Sequence, residues 1–212
     1  MKKPVCALLP ALALLAVLAA CSSEAPLPPV SLNYGAFGSI NLAVRDISLT
    51  NRSLPQVSPP IAGGPFQPTL AEAVQHWVDG RLRATGASGQ AIVIIRDIEL
   101  TSRPIPTAEG MSSWFKRQQG SRYLGRIAVE IDAHGSPGFA IASAEAHRAV
   151  SLPENPTEDE EQEAYDQLLE GLMADLNRNL ERSIDRHMQD FLVNAPALPQ
   201  AAPAPSMMPS AP

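Results

Sequence analysis

Cysteine is nearly absent: the 212-residue chain holds two, Cys6 and Cys21, so no network of disulfides holds it together. Histidine is scarce as well. His76, His134, His147 and His187 are scattered, none with a second ligand at the spacing zinc sites use, so no metal and no cofactor are expected. No Gly-x-Ser-x-Gly elbow and no glycine loop for phosphate is present, so the chain is not expected to be an enzyme. Basic residues number 16 against 22 acidic, a net charge of −6, which argues against a nucleic-acid partner. The one long apolar run, from Val5 to Ala20, covers about 16 residues and is too short for a comfortable membrane span.

That run has another use. Lys2 and Lys3 precede it as a positive n-region, and it closes on Leu18-Ala19-Ala20-Cys21. This ending resembles the lipobox of bacterial lipoproteins. The resemblance implies cleavage before Cys21, a diacylglyceryl thioether on its sulfur and an acyl group on the freed amine. At roughly 0.8 kcal/mol per buried methylene, three acyl chains make a permanent anchor to the membrane. Ser22 stands where lipoproteins retained at the inner membrane would carry Asp, so the expected address is the periplasmic face of the outer membrane. The mature chain keeps one cysteine, the lipidated one, and its net charge becomes −8 with the loss of Lys2 and Lys3.

Proline, 21 residues in all, marks the organisation. Residues 1–20 read as a lipoprotein signal peptide and 21–38, with Pro26, Pro28 and Pro29, as a flexible tether. Residues 195–212 read as a Pro/Ala-rich disordered tail. The segment 39–194 is left as one periplasmic domain, large enough for a real core.

An internal repeat organises that domain. Leu42 to Arg52 recurs 51 positions later as Val93 to Arg103, with six of eleven positions identical. Both copies change hydrophobic phase at an Arg-Asp pair, Arg45-Asp46 and Arg96-Asp97, as a β-bulge or a strand passing between environments would require. The four charges read as a cross-strand ladder in preference to a polar docking site. Between the copies, Thr69 and Glu72 form a capping box, followed by apolar residues at Leu70, Val74, Trp77, Val78 and Leu82, with Gly86 as the stop. This predicts a helix over 70–85 crossing between two parallel strands, with Trp77 in the core.

After Ser121, Tyr123, Ile127, Val129 and Ile131 face one way while Arg126, Glu130 and Asp132 face the other. The turn at 134–138 leads to a strand with Ala140, Ala142, Ala144 and Ala146 along one face. A second capping box at Thr157 and Glu160 opens a helix to about Val193, its acidic start at 158–163 simply a solvated first turn. At 1.5 Å per residue this helix reaches roughly 50 Å, beyond a four-stranded sheet, so its last turns pack elsewhere or project. The fold class is α+β. The order is strand-helix-strand-strand-strand-helix, with a mixed four-stranded sheet and two helices packed on one face, the C-terminal helix long.

The connection from Pro104 to Gly120 carries Trp114, Phe115, Lys116 and Arg117, the candidates for partner contact. Adjacent aromatics beside two cations suit a protein hot spot or the headgroup layer of a membrane, unless both rings fold back over the sheet. The Pro-rich segment 55–68, with Phe66, could line the same side.

In its order of elements the chain resembles small periplasmic lipoproteins that serve envelope machines. These are the auxiliary lipoproteins of MCE-type lipid transporters and the lipoprotein plug of the lipopolysaccharide-assembly barrel. The resemblance implies a non-catalytic subunit of a lipid or lipopolysaccharide transport complex, with that complex as partner. Two alternatives compete: a lipid or glycolipid carrier with a groove between the alanine face and the long helix, and a cell-envelope hydrolase.

Overall fold

A computed structural model describes residues 32, 34, 37–54, 66–105 and 119–193. Cys21, the signal segment, Trp114, Phe115, Lys116, Arg117 and the tail all lie outside the described residues. Two short strands come first, β1 (Ile40–Leu42) and β2 (Asp46–Asn51). Helix α1 (Leu70–Arg81) runs directly into β3 (Leu82–Ala84), and three long strands follow: β4 (Gln90–Pro104), β5 (Gln119–Gly135) and β6 (Gly138–Pro153). Helix α2 (Glu158–His187) and a 3-10 turn at Gln189–Phe191 end the domain.

The main sheet is four-stranded and mixed, in the order β2-β4-β5-β6, with β2 parallel to β4 and the rest antiparallel. The fold is α+β, as expected. The alternation in β5 does what the sequence says: Tyr123, Ile127, Val129 and Ile131 are buried, while Arg126, Glu130 and Asp132 lie on the other side. One face of the sheet is therefore covered by the helices, and no described element lies over the other, the open face. Both capping boxes form, with the Thr69 and Thr157 hydroxyls each accepting from the N3 amide and the N3 glutamates answering.

The two copies of the repeat solve their phase change differently. In the second copy β4 stays continuous and absorbs it as a bulge between Ile95 and Asp97. In the first the chain breaks instead, into β1 and β2, and β1 leaves the main sheet to pair in parallel with β3. The charges do not form a ladder between copies. Arg45 pairs with its neighbour Asp46 at 2.8 Å, whereas Arg96 reaches Glu130 at 2.7 Å and Asp97 reaches Arg126 at 2.9 Å, both on β5.

Two expected helix ends shift. α1 stops at Arg81 rather than near Gly86, because Leu82 turns extended to enter β3. Gly86 serves another purpose: a Cβ there would sit 2.4 Å from the Ala43 carbonyl carbon and 2.6 Å from the Val44 nitrogen, so only glycine lets these backbones meet. α2 ends at His187, and its last turns do not project. Ile184, Met188 and Phe191 are buried in the same core as Leu42 of β1 and Leu82 of β3, so the small second sheet extends the core under the end of α2.

Packing begins ahead of Ser39, with Tyr34 buried against α1, where a Cβ on Gly80 would stand 3.3 Å from the Tyr34 Cβ. Phe66 is no surface residue. It stacks on Tyr165 at 4.5 Å and meets Tyr123 edge-on at 5.7 Å. Among the described residues no helix is long and apolar enough to cross a membrane.

Candidate functional site

The elements that carry the predicted contact loop also set its position. The loop leaves β4 at Pro104 and returns at Gln119, where the amide of Ile105 donates to the Gly120 carbonyl at 2.9 Å. At the other end of the same strands, Phe191 lies against Gly135, and residues 191–193 join β1 through Ala43 N–H to Phe191 O (2.7 Å) and Val193 N–H to Asn41 O (2.9 Å). Residues 41–43 and 191–193 therefore lie side by side at this end, and the 17-residue β5 spans about 55 Å from there to Gln119 at ~3.4 Å per residue.

The open face of the sheet carries a charged network. Arg126 on β5 is flanked by Asp97 on β4 at 2.9 Å and by Glu145 on β6, and His147 approaches Glu145 at 2.9 Å. The hydrogen bond from Arg126 holds the Glu145 carboxyl below the usual glutamate range, and the same bond raises the Arg126 guanidinium. A shallow depression of about 530 Å³ lies over Leu124, Ala149 and this network. Toward the loop, Arg103 and Arg122 stand directly opposite each other on adjacent strands. Within the network Arg126 holds both Asp97 and Glu145.

A second polar centre escaped sequence reasoning. Arg81, 2% exposed, sits at the end of α1 with its Nε donating to the Asn177 carboxamide oxygen at 3.1 Å. Trp77 Nε1 donates to the same oxygen at 2.8 Å. The Arg81 guanidinium also pairs with Glu181, donates to the carbonyls of Phe37 and Gly38, and lies 5.7 Å from the Phe37 ring. Burial lowers its pKa from the usual arginine value. The arrangement clamps the point where the N-terminal segment enters the fold. One signal was available: Asn177 interrupts the apolar stripe Leu169, Met173, Leu180, Ile184 on α2.

The groove expected between the alanine face and α2 is filled. Ala142 and Ala146 are buried, and a Cβ on Gly125 would come within 2.8 Å of Leu168 Cδ2 and 3.2 Å of Leu172 Cδ2, so the helix lies directly on the strands. Among the described residues no group of three or more His, Cys, Asp or Glu side chains is placed to hold a metal ion.

No protein-family model matches the chain, and no curated protein matches it. Among solved structures it is similar to a minor lipoprotein from Acinetobacter baumannii, at 12% identity and TM-score 0.36, covering 73% of this chain and 99% of that one. It is also similar to the rare lipoprotein B from Shewanella oneidensis, at 10% identity and TM-score 0.35, covering 66% and 95%. A third is an uncharacterized lipoprotein B from Nitrosomonas europaea, at 12% identity and TM-score 0.34, covering 70% and 89%. All three are bacterial lipoproteins.

Proposed function

We propose that the chain is a non-catalytic envelope lipoprotein, held by acylated Cys21 at the periplasmic face of the outer membrane. There it serves as an auxiliary or assembly subunit of a lipid or lipopolysaccharide transport machine. The lipobox supports the anchor. What supports a partner-binding role is the make-up of the connection between β4 and β5, where Trp114 and Phe115 stand beside Lys116 and Arg117, adjacent aromatics and cations suited to a protein contact. The tether then raises the effective concentration of a modest contact.

The test is crosslinked pull-down of the full-length protein from native membranes. Copurification of an envelope protein by wild type, and its loss in a Trp114→Ala/Phe115→Ala variant, supports the reading. Retention of bound lipid with no protein partner overturns it in favour of a lipid carrier.

A further inference from the structure

The two edges of the main sheet are treated unequally. On the outer edge of β6, the Ser143 amide donates to Ser183 Oγ at 3.0 Å and the Glu145 carbonyl accepts from Asn179 Nδ2 at 2.7 Å, so α2 occupies that edge. On the other side β2 covers β4 only from Gln90 to Ile95. From Asp97 to Pro104 no described strand pairs with the outer edge of β4. A strand edge left unpaired is a template for another strand.

The direction of the free groups follows from the ladder. Ile105 donates inward to Gly120, so the odd-numbered residues between the bulge and Ile105 turn their main-chain groups toward β5. Ile98, Leu100 and Ser102 therefore direct theirs outward. So does Pro104, which has no N–H to offer there. By side chain, Ile98, Leu100 and Ser102 share the core face with Ile127, Gly125 and Tyr123, while Asp97, Glu99, Thr101 and Arg103 lie on the open face.

This segment is complementary to itself. In an antiparallel pair of two copies centred on Leu100, Leu100 meets Leu100 and Ile98 meets Ser102, and these are the positions whose outward amides and carbonyls have no partner among the described residues. On the open face Asp97 falls opposite Arg103 and Glu99 opposite Thr101, in the closer, non-hydrogen-bonded positions. Arg103 needs such a partner. Its cross-strand neighbour is Arg122, like charges directly opposed, and neither has an ion pair among the described residues.

We propose that two copies of the chain join through the Asp97–Pro104 edge of β4, forming one continuous sheet with a two-fold axis at Leu100. The contact is isologous, with each Arg103 facing the Asp97 of the other copy.

Sedimentation of the full-length protein in detergent, with site-specific crosslinking, tests this. Two Leu100→Cys chains would bring their Cα atoms to about 5.5 Å, within disulfide range, and are expected to give a reducible dimer absent from wild type. Arg103→Asp is expected to convert dimer to monomer, although it replaces the Arg103–Arg122 repulsion by an attraction and so should not unfold the protein. Arg103→Lys keeps the cation opposite Asp97 and is expected to keep the dimer. A monomeric wild type at its highest soluble concentration, with no Leu100→Cys crosslink, overturns the proposal. So does a dimer indifferent to Arg103→Asp.

Discussion

The indole N–H of Trp77 donates to the side-chain oxygen of Asn177 at 2.8 Å, joining α1 to α2 across 100 residues of sequence, and Arg81 Nε shares the same oxygen. One buried carboxamide thus satisfies two buried donors, one of them charged. The N-terminal segment is held by Nη1 of Arg81, which donates to the carbonyls of Phe37 and Gly38.

Asn177→Ala leaves both buried donors without this acceptor. A buried donor left unsatisfied costs about 1–3 kcal/mol, more when charged, so the loss should be on the order of 3 kcal/mol. Urea unfolding of wild type and variant measures it. A loss below about 1 kcal/mol would mean that water replaces the carboxamide.

Gly86→Ala and Gly125→Ala should differ sharply. At Gly86 the new methyl would meet backbone at 2.4–2.7 Å, which cannot give way locally; at Gly125 it meets the ends of Leu168 and Leu172. Overpacking against side chains costs about 1–3 kcal/mol, and Gly86→Ala should exceed that range or prevent folding. Thermal melts of both variants decide the order.

Capping boxes, the alternation of β5 and the bulge at Arg96 were legible because each is a local pattern of a few residues. The β1–β3 pair was not. Its strands are three residues long, and their pairing is fixed by Gly86, which reads equally well as a helix stop. Arg81 was hidden for a related reason, since a cation in the last turn of a helix is what the macrodipole favours at a surface. Only the core it enters makes it a clamp. Of the partner-contact candidates, the sequence placed Trp114 to Arg117 in a long connection, and they lie outside the described residues.

The Arg126–Glu145 bond carries a pH signature. The folded state holds the Glu145 pKa below its usual value near 4.5, so the folded form binds the proton less readily than the unfolded one. Its contribution is present above about 4.5 and fades as pH falls through the depressed value. The stability difference between wild type and Arg126→Met should therefore shrink under acid titration. A difference that stays constant from neutral pH to pH ~3 would show that the bond does not couple to folding.

Removing the cover from β6 should expose a template for aggregation. Asn179→Ala combined with Ser183→Ala deletes both helix side chains bonded to that edge. Light scattering at elevated temperature is expected to rise faster in the double variant than in wild type, at equal fractions unfolded.

Intact mass of the protein taken from native membranes tests the anchor most directly. The expected product begins at Cys21 and carries a diacylglyceryl and an N-acyl group, and Cys21→Ser moves the protein out of the membrane fraction. A bare Cys21 sulfur, or a wild-type protein recovered free in the periplasmic extract, contradicts the proposed anchoring.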